Sequence, residues 1–193
     1  YVSYAEGYTV PDVGRITRSI NVNGIDIDDY LDISPIVSNN REVGLEFNRG
    51  GISASAGYFW STSTRGQLLV LVGTVFEVQR QRVEIEGLEL NVTARTPIEG
   101  LTVQAGYADL KGRADSNGDG RVDIDLDGAN ISPDRFTASA NYVRGDWTTR
   151  LQVGRYIPRS FDGSDPRNDF EGYTLVDASV RYDGGAWGAV TLA

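Results

Sequence analysis

The sequence predicts an all-β chain: an antiparallel up-and-down meander that forms part of a transmembrane β-barrel. Three observations support this. Apolar and polar residues alternate with a period of two along much of the chain, the spacing of a strand with two different faces. Short and long connections alternate between these segments. Aromatic residues lie near the segment ends, as in barrels that cross a membrane.

The strand assignments follow this alternation. In "REVGLEFN", Val43, Leu45 and Phe47 share one face, and Glu46 and Asn48 share the other. Further apolar faces recur over Ile52 to Trp60, Leu101 to Tyr107, Phe136 to Tyr142 and Trp147 to Val153. We count eight strands and the start of a ninth.

Two kinds of connection join the predicted strands. Tight turns are expected at Asn48 to Gly51, Thr96 to Gly100, Arg144 to Asp146 and Asp183 to Ala186. Long polar loops are expected over residues 10–42, 63–78, 111–133 and 158–172. In an antiparallel meander, strict alternation places all tight turns at one end of the sheet and all long loops at the other.

Composition limits the chemistry of the chain. Its 193 residues carry a formal net charge of −9 and include neither His nor Cys. These absences exclude Ser–His–Asp catalysis, thiol nucleophiles and Cys-ligated zinc within this sequence, so we expect no enzyme. An acidic chain also lacks the clustered Lys and Arg that bind nucleic acid, and no nucleic-acid partner is expected.

The residue types on the two faces favour a membrane barrel over a soluble β-sandwich. The polar faces carry Arg, Glu, Gln and Asn in mid-strand, while the apolar faces are rich in Ala, Tyr and Trp. A barrel turns such apolar faces to lipid and pairs every backbone group within the sheet. We therefore expect Ala54, Ala105, Ala138 and Val153 to face lipid, and Ser55, Gln104, Ser139 and Gln152 to face the lumen.

Five stretches also carry a family resemblance, in order along nearly the whole chain. They are "YVSYAEGYTVPDVGR", "NNREVGLEF", "RVEIEGLELNV", "GANISPDRFTASANY" and "GYTLVDASVRYDGGAWGAVTLA". Together they resemble strands of the TonB-dependent outer-membrane receptors, most of all receptors of the ferric siderophore type.

The resemblance implies a barrel of about 22 strands in the bacterial outer membrane, with an N-terminal plug domain. It implies uptake of a ferric siderophore or similar chelate, energised by the TonB complex. Receptors for citrate-based hydroxycarboxylate siderophores are the nearest in resemblance. Residues 1–193 would then be a C-terminal fragment of the barrel domain, without the plug domain, the TonB-contacting segment and the remaining strands. Outer-membrane lipid is a further expected partner.

Two other functions stay open at this stage. A passive porin-like channel would need neither a plug nor a TonB-contacting segment. A soluble calcium-stabilised β-adhesin would stay monodisperse without detergent, whereas part of a barrel would aggregate through its open edges and lipid face.

The stretch "DSNGDGRVDIDLDG" in the third long loop resembles a calcium-binding loop. Gly120 takes the sixth position, but Leu126 takes the twelfth, where calcium loops carry a bidentate Glu. The alternative is an acidic loop whose Asn-Gly and Asp-Gly pairs form turns. The candidate ligands of a possible calcium ion are Asp115, Asn117, Asp119, Arg121 through its carbonyl, Asp123, and the flanking Asp125 and Asp127.

Arginines near the long loops are candidates for binding an anionic chelate, because guanidinium donates two parallel hydrogen bonds to a carboxylate. The ligand-binding candidates are Arg159, Arg155 and Arg65. Arg159 has the strongest case, because Pro158 ends the strand and allows the next residue to turn over the barrel mouth. Period-two spacing turns Arg80 and Arg82 outward, away from the lumen. The alternative is that each arginine pairs with a nearby acid.

Overall fold

Strands account for most of the chain that the structure describes. The structure is a computed structural model that describes residues 1–10, 14, 35–72, 75–163 and 165–193. Its strands are β1 (Val2–Thr9), β2 (Ile36–Arg49), β3 (Ile52–Val72), β4 (Val75–Arg95), β5 (Leu101–Ala114), β6 (Ile124–Asp125), β7 (Arg135–Arg144), β8 (Trp147–Tyr156), β9 (Tyr173–Asp183) and β10 (Ala189–Leu192). Within these residues, no helix has the length and apolar character needed to cross a membrane.

The strands form one antiparallel sheet in the order β1-β2-β3-β4-β5-β7-β8-β9-β10. The sheet does not close on itself. The predicted all-β meander is thereby confirmed, because this path contains the eight predicted strands and the beginning of a ninth. The short strand β6 was not predicted; it pairs with the end of β5 through Arg113 and Ala114.

The register keeps the two predicted faces intact across the sheet. Cross-strand partners on one face are Ala54, Val92, Ala105, Ala138, Val153 and Val176, in that order. On the other face the corresponding row is Ser53, Thr93, Gln104, Ser139, Gln152 and Asp177. We call these the apolar face and the polar face. Each pairing aligns like with like, so the alternation within single strands becomes a property of the whole sheet.

The four predicted tight turns lie at one end of the sheet, but the predicted strict alternation fails at β3 and β4, which stay paired as far as Val72 and Val75 at the other end. Between β2 and β3 only two residues intervene, and both Gly50 and Gly51 have positive φ, at 60° and 84°. Two consecutive positive φ values match the twist of a two-residue hairpin, and glycine adopts them without steric cost. Near this end the rings of Trp147 and Tyr182 on the apolar face lie 4.8 Å apart.

The predicted long loop over residues 63–78 is wrong. Strands β3 and β4 continue as one hairpin until Val72 pairs with Val75, with a register irregularity between Ser63 and Gly66. The polar run "STSTRG" indicated a loop, but the stretches on either side of residues 73–74 are rich in Leu and Val, which favour strands. Most of the predicted loop 10–42 lies outside the described residues.

Buried apolar residues in the described part of the chain gather at the long-connection end of the sheet. They form a single cluster, which we call the loop-end cluster: Leu68, Val83, Ala114, Leu126, Ile131 and Phe161. The middle of the sheet has exposed side chains on its apolar face, including Leu45 and Leu151. In the described residues, the buried apolar core therefore lies where the strand ends meet the connections.

Candidate functional site

The loop-end cluster joins two connections to the ends of three strands. Val83 of β4 and Ala114 of β5 are register partners, and Phe161 comes from the β8–β9 connection. Leu126 enters from the β5–β7 connection and donates its N–H to the carbonyl of Gly112 at 2.8 Å. The cluster fixes the connections above the polar face.

The acidic loop between β5 and β6 is closed by its own hydrogen bonds. Asp115 is only 4 % exposed, and its carboxylate accepts the N–H groups of Gly118 and Gly120 at 2.7 Å each. Asp123 accepts both the N–H and the hydroxyl of Ser116 at 2.7 Å, and these two bonds lower the pKa of Asp123. The carboxylates of Asp115 and Asp123 therefore hold the backbone of the loop together.

The remaining predicted calcium ligands also have local partners. Asn117 accepts the N–H of Asp119, and Asp119 accepts the N–H of Arg121. Asp125 accepts the N–H of Asp162, and Asp127 accepts the amide of Asn168 at 2.6 Å. In the described ranges, no three or more His, Cys, Asp or Glu side chains are grouped as a metal site. Calcium binding stays a prediction.

Arg159 lies at the open edge of β5, between the parts of that strand that pair with β7 and with β6. Its guanidinium donates to the carbonyl of Leu110, lies 3.6 Å from Asp134, and sits over the ring of Phe161 at 5.2 Å. Its backbone pairs with Phe170. Arg159 thus holds the β8–β9 connection against β5, and its predicted contact with a chelate would compete with these bonds.

Asp134 is the partner that ties Arg159 to the sheet. Its carboxylate also accepts the N–H of Leu110 at 3.3 Å, and its carbonyl accepts the N–H of Ile157 at 2.9 Å. Burial raises the pKa of Asp134, and the adjacent Asp109 carboxylate raises it further, while the Leu110 N–H and Arg159 oppose the shift.

The other candidate arginines lie elsewhere. Arg155 is on the apolar face, opposite Phe136, and donates to the hydroxyl of Thr174 at 3.1 Å. That position does not favour a contact in the lumen. Arg65 is exposed at the irregularity between β3 and β4. Arg82 lies with Glu84 on the outward continuation of the apolar face, as its spacing predicted, and its guanidinium pairs with the Glu84 carboxylate at 2.7 Å, which was the alternative interpretation.

Sequence reasoning missed a second group at the long-connection end of the polar face. Arg135, Tyr156 and Tyr173 are direct cross-strand partners on β7, β8 and β9. The rings of Tyr156 and Tyr173 are stacked with centroids 4.5 Å apart. The alternation in "RFTASANYV" already placed Arg135 with Thr137 and Ser139, but the tyrosines join it only through the register.

Comparison with known proteins identifies the family. A family model described as "TonB dependent receptor-like, beta-barrel" matches residues 1–193. The chain belongs to the TonB-dependent receptor family. A comparison with curated protein sequences finds no match.

Solved structures share the fold of this receptor barrel. The copper transporter OprC matches with a TM-score of 0.73 at 16% identity, over 95% of this chain and 28% of its own. The ferric yersiniabactin uptake receptor FyuA from Yersinia pestis matches with a TM-score of 0.67 at 17% identity, over 98% of this chain and 28% of its own. The ferric-catecholate import receptor Fiu from K12 E. coli has a TM-score of 0.59 at 20% identity, over 95% of this chain and 26% of its own. The chain therefore spans between a quarter and a third of these receptors.

Proposed function

We propose that this chain is part of an outer-membrane receptor that takes up a ferric siderophore with energy from the TonB complex. The family match supports the class, and the two-faced sheet is the structural observation that carries the proposal. The apolar face would meet lipid and the polar face would line the lumen, as in barrels that cross the outer membrane.

The aromatic residues support this orientation. Trp147 and Tyr182 border the apolar face near the tight turns, and Tyr58 and Trp60 border it near the long connections, with ring centroids 5.9 Å apart. Tyr and Trp prefer the two interfaces of a membrane, because their rings are apolar and their hydroxyl or N–H groups are polar. Barrels of the outer membrane have short periplasmic turns and longer extracellular loops, so the tight turns would be periplasmic and the long connections extracellular.

The neighbours in structure carry metal-related names: a copper transporter, a ferric yersiniabactin receptor and a ferric-catecholate receptor. They support a metal or metal chelate as cargo. Arg159 and Arg65, at the long-connection end, remain candidates for contact with an anionic chelate. The sequence resemblance implies a citrate-type chelate.

The proposal is tested in cells that make the full-length receptor. Deletion of its gene should abolish uptake of radiolabelled iron from one member of a panel of ferric chelates, and restoring the gene should recover it. Removal of TonB should have the same effect as deletion. Uptake that persists without TonB would indicate a passive channel, and unchanged uptake in the deletion strain across the panel would contradict a role in iron transport.

A further inference from the structure

The polar face carries a row of residues near the long connections that differs from the rest of that face. In cross-strand order the row is Gly57, Glu89, Ala108, Arg135, Tyr156 and Tyr173. The next row toward the tight turns contains Gly106, Thr137 and Gly154, which are small. Small side chains leave a shallow floor beside the arginine and the two tyrosines.

Arg135 has an unusual position in this row. Its side chain is exposed, and within the described residues it makes no ion pair or hydrogen bond. It lines a cavity of about 120 Å³ with Glu89, Asn91 and Thr137. Guanidinium keeps its charge at any physiological pH and presents a planar set of donors, so Arg135 is available to a planar anion.

The aromatic rings next to Arg135 lie on the polar face, where they would not contact the membrane interface. Tyr156 and Tyr173 lie on the polar face, whereas Trp147 and Tyr182 border the apolar face. Tyr173 is 44 % exposed, although it also contacts Phe170 at a centroid distance of 5.7 Å. An aromatic surface that is exposed beside a cation favours a ligand with its own aromatic ring.

Resting on the proposed receptor function, we infer that Arg135, Tyr156 and Tyr173 form a subsite for an anionic aromatic group of the chelate. The ligand ring stacks on the exposed part of the tyrosine pair, and its anionic oxygens accept hydrogen bonds from Arg135. Glu89 lies two strands from Arg135 in the same row and repels an anion placed further along it. This charge pattern positions the anion at Arg135.

The subsite favours an aromatic chelate over the citrate-type chelate that the sequence resemblance implies. An aliphatic carboxylate would use Arg135 but leave the tyrosine surface uncovered. An aromatic ligand uses both, so its binding should depend on the rings as well as on the charge. The dependence of binding on the tyrosine rings therefore distinguishes an aromatic chelate from an aliphatic one by experiment.

The test measures calorimetric binding to the full-length receptor of two probes, the ferric complex of dihydroxybenzoic acid and ferric citrate. Arg135→Gln and Tyr173→Leu should each weaken binding of the aromatic complex roughly tenfold or more, the size expected for a charge-assisted bond or a lost stacking partner. Tyr156→Phe keeps the ring and should retain affinity. Arg144→Gln, at the tight-turn end, is the matched control and should change nothing.

Unchanged affinity of Arg135→Gln for the aromatic complex, with normal migration of the unheated barrel on gels, would overturn the subsite. Binding of ferric citrate without binding of the aromatic complex would also overturn it, while leaving the receptor function in place. The receptor function itself is decided by the uptake panel, so the two failures are distinguishable.

Discussion

Phe161 provides the sharpest test of the loop-end cluster. It is 6 % exposed, and it connects the β8–β9 connection to residues of β3, β4 and the β5–β7 connection. Arg159 also lies over its ring. We expect Phe161→Ala to release this connection from the sheet while the strands below stay paired.

The size of the effect follows from the buried ring. An aromatic side chain removes about 150–250 Å² from water, which at about 25 cal/mol/Å² gives roughly 4–6 kcal/mol as an upper value. The cluster is peripheral and the site can partly collapse, so we take about 3 kcal/mol, the lower end for Phe→Ala in cores. At about 1.4 kcal/mol for each factor of ten, local opening should become roughly a hundredfold more frequent.

Hydrogen exchange measured by mass spectrometry is the appropriate assay. The reporting amides are those of Arg159 and Phe170, which bond to each other's carbonyls at 2.8 and 2.9 Å. Phe136→Ala is the matched control, because it makes the same change at a ring that is 45 % exposed on the apolar face. Exchange over residues 157–172 that is the same in Phe161→Ala and in the control would refute the argument.

Four further predictions concern single positions. Ala138→Arg should block assembly of the receptor in the outer membrane, because arginine on the lipid face costs about 2–4 kcal/mol near the bilayer midplane. Ser139→Arg, at the neighbouring position on the polar face, should still allow assembly. The mobility of the unheated barrel on gels measures assembly of both variants. Asp134 has a raised pKa when folded, so its ionised form is disfavoured and the loop should lose stability as the pH rises from about 4 through that pKa. Asp134→Asn should remove this trend in exchange protection factors, and a trend that persists would assign it to another group. Calorimetry of the intact receptor should show calcium binding that is lost in Asp119→Ala; an absence of heat would leave the loop closed by its own hydrogen bonds. Arg159→Ala should weaken chelate binding about tenfold or more if its guanidinium reaches the ligand. Faster exchange in the β8–β9 connection with unchanged affinity would instead show that Arg159 only holds this connection against β5.

Some features of the candidate site could be identified only from the register between strands. The alternation in "RFTASANYV" was visible in the sequence, but nothing local placed Tyr156 and Tyr173 beside Arg135. Arg159 illustrates the same limit. Pro158 correctly indicated the end of a strand, yet the partners Asp134 and Phe161 come from separate connections.

Leu126 shows how a sequence motif can mislead about the role of a residue. In the loop "DSNGDGRVDIDLDG" it occupies the position where calcium loops carry Glu, and so it counts against the motif. In the structure it is 3 % exposed and belongs to the loop-end cluster. The sequence signal for burial was an apolar residue within a polar loop, and Ile131 and Phe161 show the same signal.

The sequence by itself determined the two faces of the main strands and the end at which the four predicted tight turns lie. These features depend on period-two alternation and on glycine-rich turns, which are local and are read within a few residues. The tertiary structure alone decided the extent of the β3–β4 hairpin, the loop-end cluster and the row that contains Arg135. Each depends on which residues of distant segments come opposite one another, and that is fixed only when the whole register and the burial of the connections are satisfied together.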